Sequence, residues 1–139
     1  MNYLKFISGI SFMAVSFFVQ AKIYTPNCPK EIKSIEHIQT SPNDWETVSD
    51  IPHNFLSGVS FYSGHPKEMA GLKPNSINKK NAKWTFSPKE TIFIVCQYNQ
   101  TGIKLTQPLP KKTTQCTINF NQNMLGDNGF LPKEIKCVR

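Results

Sequence analysis

A chain of 139 residues has room for one domain with or without a leader, and its 10 prolines among many Asn, Ser and Thr residues point to numerous turns rather than long helices. Sixteen Lys and Arg against nine Asp and Glu give a net charge of +7, yet Arg139 is the only arginine. Nucleic-acid surfaces use arginine and stacked aromatics on a continuous basic face, so that class is set aside.

Met1–Ala21 carries Lys5 in a short basic start, an apolar stretch over Phe6–Val19 and a small-residue ending, Val19-Gln20-Ala21. This three-part pattern is expected of a secretory signal peptide over residues 1–21, leaving Lys22–Arg139 as a single exported domain in the periplasm. The apolar run is shorter than the ~20 residues that span a bilayer. Thr25-Pro26-Asn27 also lacks the small residue that stands before a lipid-modified cysteine. No membrane insertion is expected after cleavage.

From Pro29, Ile32, Ile35 and Ile38 recur every three residues, while Ile32, Ser34, Glu36 and Ile38 also fit a strand. In a β context an edge strand is favoured. Ser41-Pro42-Asn43-Asp44 reads as a turn, with Trp45 expected over a core edge. Ser57–Tyr62 is a strand with Val59 and Phe61 on one face. Pro66 suits the first position of a short helix and Gly71 its end, so one or two helical turns are expected there. Lys73–Asn81 is polar, basic and without apolar periodicity, and reads as an exposed, mobile loop.

Ala82–Thr106 is the best-patterned stretch. Trp84 and Phe86 alternate with polar neighbours, Ser87-Pro88-Lys89-Glu90 is a turn, and Thr91–Tyr98 is an almost continuous β-branched and aromatic run. Asn99-Gln100-Thr101-Gly102 is a second turn before Ile103–Thr106. Period-two alternation broken by Pro, Asn and Gly predicts antiparallel strands joined by hairpins. In the middle strand Ile92, Ile94, Cys96 and Tyr98 share one face while Phe93 and Val95 point the other way, which places it centrally, covered on both sides. Pro108-Leu109-Pro110-Lys111-Lys112 is a stiff basic connector.

Cys28, Cys96, Cys116 and Cys137 all lie beyond the leader, and an even count in an oxidising compartment reads as two disulfides. Metal sites need short ligand spacings such as C-x-x-C, which are missing here. Strands expected at Gln115–Phe120 and Glu134–Val138 flank a loop containing Leu125-Gly126-Asp127-Asn128-Gly129, so a hairpin there sets Cys116 opposite Cys137 and leaves Cys28 for Cys96. The fold class is mainly β: a small antiparallel sheet or sandwich, or a partly open barrel, with one short helix and two disulfides.

His65 with Glu68 is the one close histidine–carboxylate pair that suggests acid–base work, and catalysis would need a nucleophile or water and an oxyanion donor around it. Helix capping or a surface hydrogen bond is the favoured role. His37 and His53 have no ligand-spaced companions, and there is no Gly-rich phosphate loop, G-x-S-x-G or H-E-x-x-H motif. No cofactor and no metal are expected. Lys73, Lys79, Lys80, Lys83, Lys111 and Lys112 lie mostly in connectors, where a basic surface steers encounter with an acidic protein.

Cys28-Pro29, Trp45-Glu46, Leu56–Gly64, Pro66, Glu68, Ala70, Leu72, Pro74, Trp84, Cys96-Gln97-Tyr98, Thr101, Leu109-Pro110 and Cys116 together carry a resemblance. The chain resembles a family of small exported proteins of Gram-negative bacteria found near type VI secretion genes. Members are similar to periplasmic immunity proteins against peptidoglycan-targeting effectors. The resemblance implies a non-enzymatic binding protein that occludes a cell-wall-targeting enzyme or effector, on a rigid scaffold that displays loops. Tyr62, His65, Met69 and Leu72 supply amphipathic side chains of the kind interfaces use, with Lys79 and Lys80 steering an acidic protein partner. The alternatives are an envelope enzyme using His65 and Glu68, favoured by a deep polar pocket around His65, and a structural or ligand-binding envelope protein.

Overall fold

Strand propensity and alternation dominate the chain after residue 50, and the computed structural model, which describes Ser16, 20–48 and 50–139, turns them into antiparallel sheets with a half-barrel curl. The leader expected over residues 1–21 therefore lies outside the described residues except for Ser16, Gln20 and Ala21. In chain order the strands are β1 (Ile23–Tyr24), β2 (Glu31–Lys33), β3 (His53–Ser63), β4 (Gly71–Leu72), β5 (Ser76–Ile77), β6 (Asn81–Thr85), β7 (Ile92–Tyr98), β8 (Lys104–Pro108), β9 (Gln115–Gly126) and β10 (Gly129–Val138). One sheet runs β1-β10-β9-β6-β5. The other runs β2-β3-β7-β8, with β4 also paired to β3.

The strand apolar on both faces is β7, and it sits between β3 and β8 with Ile92, Ile94, Val95, Cys96 and Tyr98 all buried. A single apolar cluster joins the inner faces of the two sheets: Phe61 of β3 and Ile94 of β7 meet Ala82 and Trp84 of β6, Ile118 of β9 and Ile135 of β10. Phe61 stands at its centre, fully buried, with the Trp84 ring edge-on at 5.0 Å and the Phe86 ring at 5.5 Å. Edge-to-face aromatic pairs of this kind add stabilisation beyond the area they bury. Polar groups inside are bonded. The Trp84 indole N–H donates to the Leu72 carbonyl, the Tyr98 hydroxyl donates to the Pro29 carbonyl, and buried Asn54 accepts from Ser34 while donating to the Asn99 carbonyl.

Cys137 lies opposite Cys116 in the β9–β10 ladder and is bonded to it, while Cys28 is bonded to Cys96 of the central strand. Tyr24 closes the first sheet from its edge: its hydroxyl bonds Thr113, and burial holds its pKa above the ordinary value against the opposing Thr113 bond and Arg139 charge.

Four expectations change. Thr85 and Ile92 do not flank a hairpin: β6 pairs with β5 and β9, β7 with β3 and β8, so Ser87–Glu90 carries the chain from one sheet to the other. Trp45 is 75% exposed and covers no core edge. Its backbone closes a local turn, with Trp45 N–H donating to the Pro42 carbonyl and the Ser41 hydroxyl to the Trp45 carbonyl, and that turn holds the indole away from both sheets. The short helix is a three-residue 3-10 turn, Pro66–Glu68, ended by Met69 at φ 60 rather than by Gly71, which is already in β4. The Lys73–Asn81 loop contains β5 and a tight turn in which the Asn78 side chain accepts from the N–H groups of Lys80 and Asn81.

Candidate partner-binding surfaces

β3 is eleven residues long, about 35 Å at the usual strand rise, and two surfaces with exposed apolar groups lie at its opposite ends. At the Ser63 end, Tyr62 is half-buried, opposite Phe93 of β7 on one side and Gly71 of β4 on the other. His65 precedes the 3-10 turn in extended conformation, and its Nδ1 accepts the Lys67 N–H at 3.2 Å. An accepting Nδ1 leaves the proton of the neutral ring on Nε2. The ring edge also meets Phe93 at 5.3 Å. Glu68 folds back over Gly64, whose φ of 77 and close approach to the Glu68 carboxylate suit glycine. The Glu68 N–H donates to the His65 carbonyl at 2.8 Å, but no side-chain hydrogen bond joins the imidazole to the Glu68 carboxylate among the described residues. Met69 is 85% exposed because its left-handed backbone, closed by a bond from its N–H to the Pro66 carbonyl, ends the turn in solvent.

The structure divides the residues singled out from sequence. Tyr62, near the end of β3, stands beside the β3–β4 connection that carries His65 and Met69. Leu72 is half-buried against the core, with its carbonyl engaged by Trp84. Lys79 and Lys80 are exposed on the β5–β6 turn of the other sheet, where the Lys80 carbonyl accepts from the Phe120 N–H.

That last bond leads to the second surface. β6 accompanies β9 only as far as the pairing of Asn81 with Asn119. Beyond it, β9 and β10 continue as a two-stranded arm to a turn at Asp127-Asn128, closed by Gly129 at φ 116. Pairing jumps from Phe130↔Leu125 to Leu131↔Asn121, so Gln122–Met124 bulge out of the ladder. Bulges bend a strand and re-aim its side chains. Here Met124, about half exposed, and Leu125, 74% exposed, line a groove with Leu131 and with Phe55 and Leu56 of β3. Lys30 and Lys133 stand on its wall and Asp127 at its tip.

The backbone in this groove is already engaged. Phe55 pairs with Glu31 of β2 on one side, and on the other its N–H donates to the Asn99 side chain while its carbonyl accepts the Asn99 N–H. Neighbouring acids are engaged too. Glu31 contacts His53, and Glu134 binds Lys136 at 3.1 Å and Asn119 at 3.2 Å, which hold its carboxyl below the ordinary carboxylate pKa. Lys30 and Lys133 have no ion-pair partner among the described residues. Sequence reading treated Leu125–Gly129 as a loop and missed this surface. Its one visible signal was a pair of large apolar residues, Met124-Leu125, immediately before a turn.

The described residues hold no cluster of three or more His, Cys, Asp or Glu suited to a metal ion. Both surfaces offer apolar and cationic contact.

Comparison with curated proteins finds no match, and comparison with solved structures finds none. The family described as type VI secretion system Tli immunity protein matches residues 51–138, which span both surfaces except Lys30 and exclude Cys28 and Trp45. With more than half of its length matched, the chain belongs to the type VI secretion system Tli immunity protein family.

Proposed function

We propose that this chain is a periplasmic immunity protein that binds a type VI effector and occludes it, with no chemistry of its own. The family match over residues 51–138 carries the proposal. Two disulfides support a folded state maintained in an oxidising compartment, in keeping with export by the leader read in residues 1–21. His65 serves as a cap and Glu68 packs on Gly64, which supports binding over an acid–base role for that pair.

Of the effectors such a protein could meet, we take an acidic, peptidoglycan-directed one, on the strength of the resemblance and the basic surface. Lys79 and Lys80 steer its approach, and Tyr62, His65 and Met69 form an accessory contact.

The test is protection. Type VI effectors of the same strain are directed one by one to the periplasm of a sensitive host, with and without the exported chain. The expected result is restored growth against one effector and a stable complex of the purified pair. Failure to protect against any of them, with no complex formed, would overturn the proposal. Protection against an effector acting on another envelope component would correct the target class alone.

A further inference from the structure

We propose that the groove between Phe55-Leu56 and the β9–β10 arm is the anchoring site for the effector. It receives an apolar side chain of the effector surface whose flanking residues are carboxylates. This rests on the immunity reading above and adds the site and the chemistry of what enters it.

Three observations carry it. First, Phe55 and Leu125 lie in strands of different sheets, yet the fold brings them to one groove and leaves both exposed with Met124. Scattered exposed apolar residues are ordinary, whereas a contiguous set lining a concavity marks a binding surface. Second, the Phe55 N–H and carbonyl are both taken by Asn99, and β2 flanks the other edge with the Leu56 N–H bonded to the Lys30 carbonyl, so β3 offers side chains to the groove and no free edge for an added strand. Third, the charges available on its wall are mainly positive, two lysines against the single Asp127 at the tip. Glu31 and Glu134 are engaged by His53 and by Lys136 with Asn119, while Lys30 and Lys133 are unpaired among the described residues. Carboxylates beside the entering apolar group would meet those two lysines. A second copy of this chain is a poorer occupant, because a two-fold contact through this groove sets the same lysines against each other.

The experiment uses the effector that the wild-type chain neutralises. Met124→Lys with Leu125→Lys should weaken the complex by about 30-fold or more, mostly through faster dissociation, as loss of a central apolar anchor does. Both side chains are exposed, so the variant's melting temperature should match wild type and confirm folding. Lys30→Glu with Lys133→Glu should slow association several-fold, with the effect shrinking at high salt. A photo-crosslinking residue at position 125 should give an adduct on an effector segment with an apolar residue between Asp or Glu neighbours. Wild-type affinity for the folded double-lysine variant overturns the groove while leaving the immunity function standing. An adduct to a second copy of the chain, or to a lysine-flanked segment, overturns it as well. If the wild type binds no effector, the groove proposal falls together with the function on which it rests.

Discussion

The two ends of β3 expose apolar side chains for different reasons. Met69 is the more exposed, but its place follows from local backbone: three residues of 3-10 turn must end somewhere, and the left-handed residue that ends them projects into solvent. Its neighbours are already employed, His65 in capping and Tyr62 over Gly71. At the other end, Phe55 and the adjacent pair Met124-Leu125 come from separate parts of the chain, and no local rule requires the two to meet and stay uncovered. Solvent exposure measures how far a side chain projects. Convergence of several such side chains on one concavity is the better guide to a docking surface.

The comparison breaks most severely if the scaffold between the ends is loosened. Replacing Cys28 and Cys96 by alanine opens a bridge of sequence separation 68, and loop entropy puts the loss near 4 kcal/mol. Chemical denaturation should show it. The loss should fall on the groove end first, because Cys28 leads directly into Lys30 and β2, so amide exchange at Glu31–Lys33 and Phe55 should accelerate more than at Tyr62 or Leu72.

A smaller effect sharpens the contrast. His65→Ala removes a cap, a loss of about 1 kcal/mol in stability, with effector affinity expected within about two-fold of wild type on the accessory role argued above. Met69→Ala should behave likewise in binding. A tenfold faster dissociation from either change would move the anchor to the Ser63 end. It would also show that isolated exposure was the right signal after all.

The smallest effect lies away from both ends and serves as a control on the scaffold. Tyr24 has its pKa raised by burial, so its stabilising contribution is complete below the ordinary value of about 10 and is lost as pH rises through the folded-state value. Urea midpoints followed through alkaline pH should fall, and Tyr24→Phe should make the fall shallower. Tyr98 is raised in the same direction by burial, so some alkaline loss should persist in that variant.

Much of the scaffold was legible from local pattern. The dense β-branched run of Ile92–Tyr98 could only be a covered strand, and Cys116 and Cys137 lie about equally far from a Gly-Asp-Asn-Gly turn, so a hairpin sets them opposite one another. The crossing after Thr85 was not legible, because Ser87-Pro88-Lys89-Glu90 reverses the chain in the same way whether its flanks pair or part. Which happens depends on Trp84 and Phe86 finding Phe61 across the core. Trp45 misled because a large aromatic is usually buried, and the turn that turns it outward lies in its own backbone. The arm was hidden by composition. Asn121, Gln122 and Asn123 read as loop residues, whereas the β10 partner strand extends the ladder past them through a bulge.

The family match begins at residue 51, whereas the bridge from Cys28 to Cys96 reaches back across that boundary into the central strand. A covalent tether at one side and the β2–β3 ladder at the other hold Pro29–Lys33 in place regardless of what lies between Lys33 and His53. Loop closure grows only slowly with length, by about 0.6 kcal/mol for each doubling. Beyond buried Ser34, which is bonded to Asn54, the span carrying Trp45 can therefore lengthen or shorten at small cost while both of its anchors stay docked.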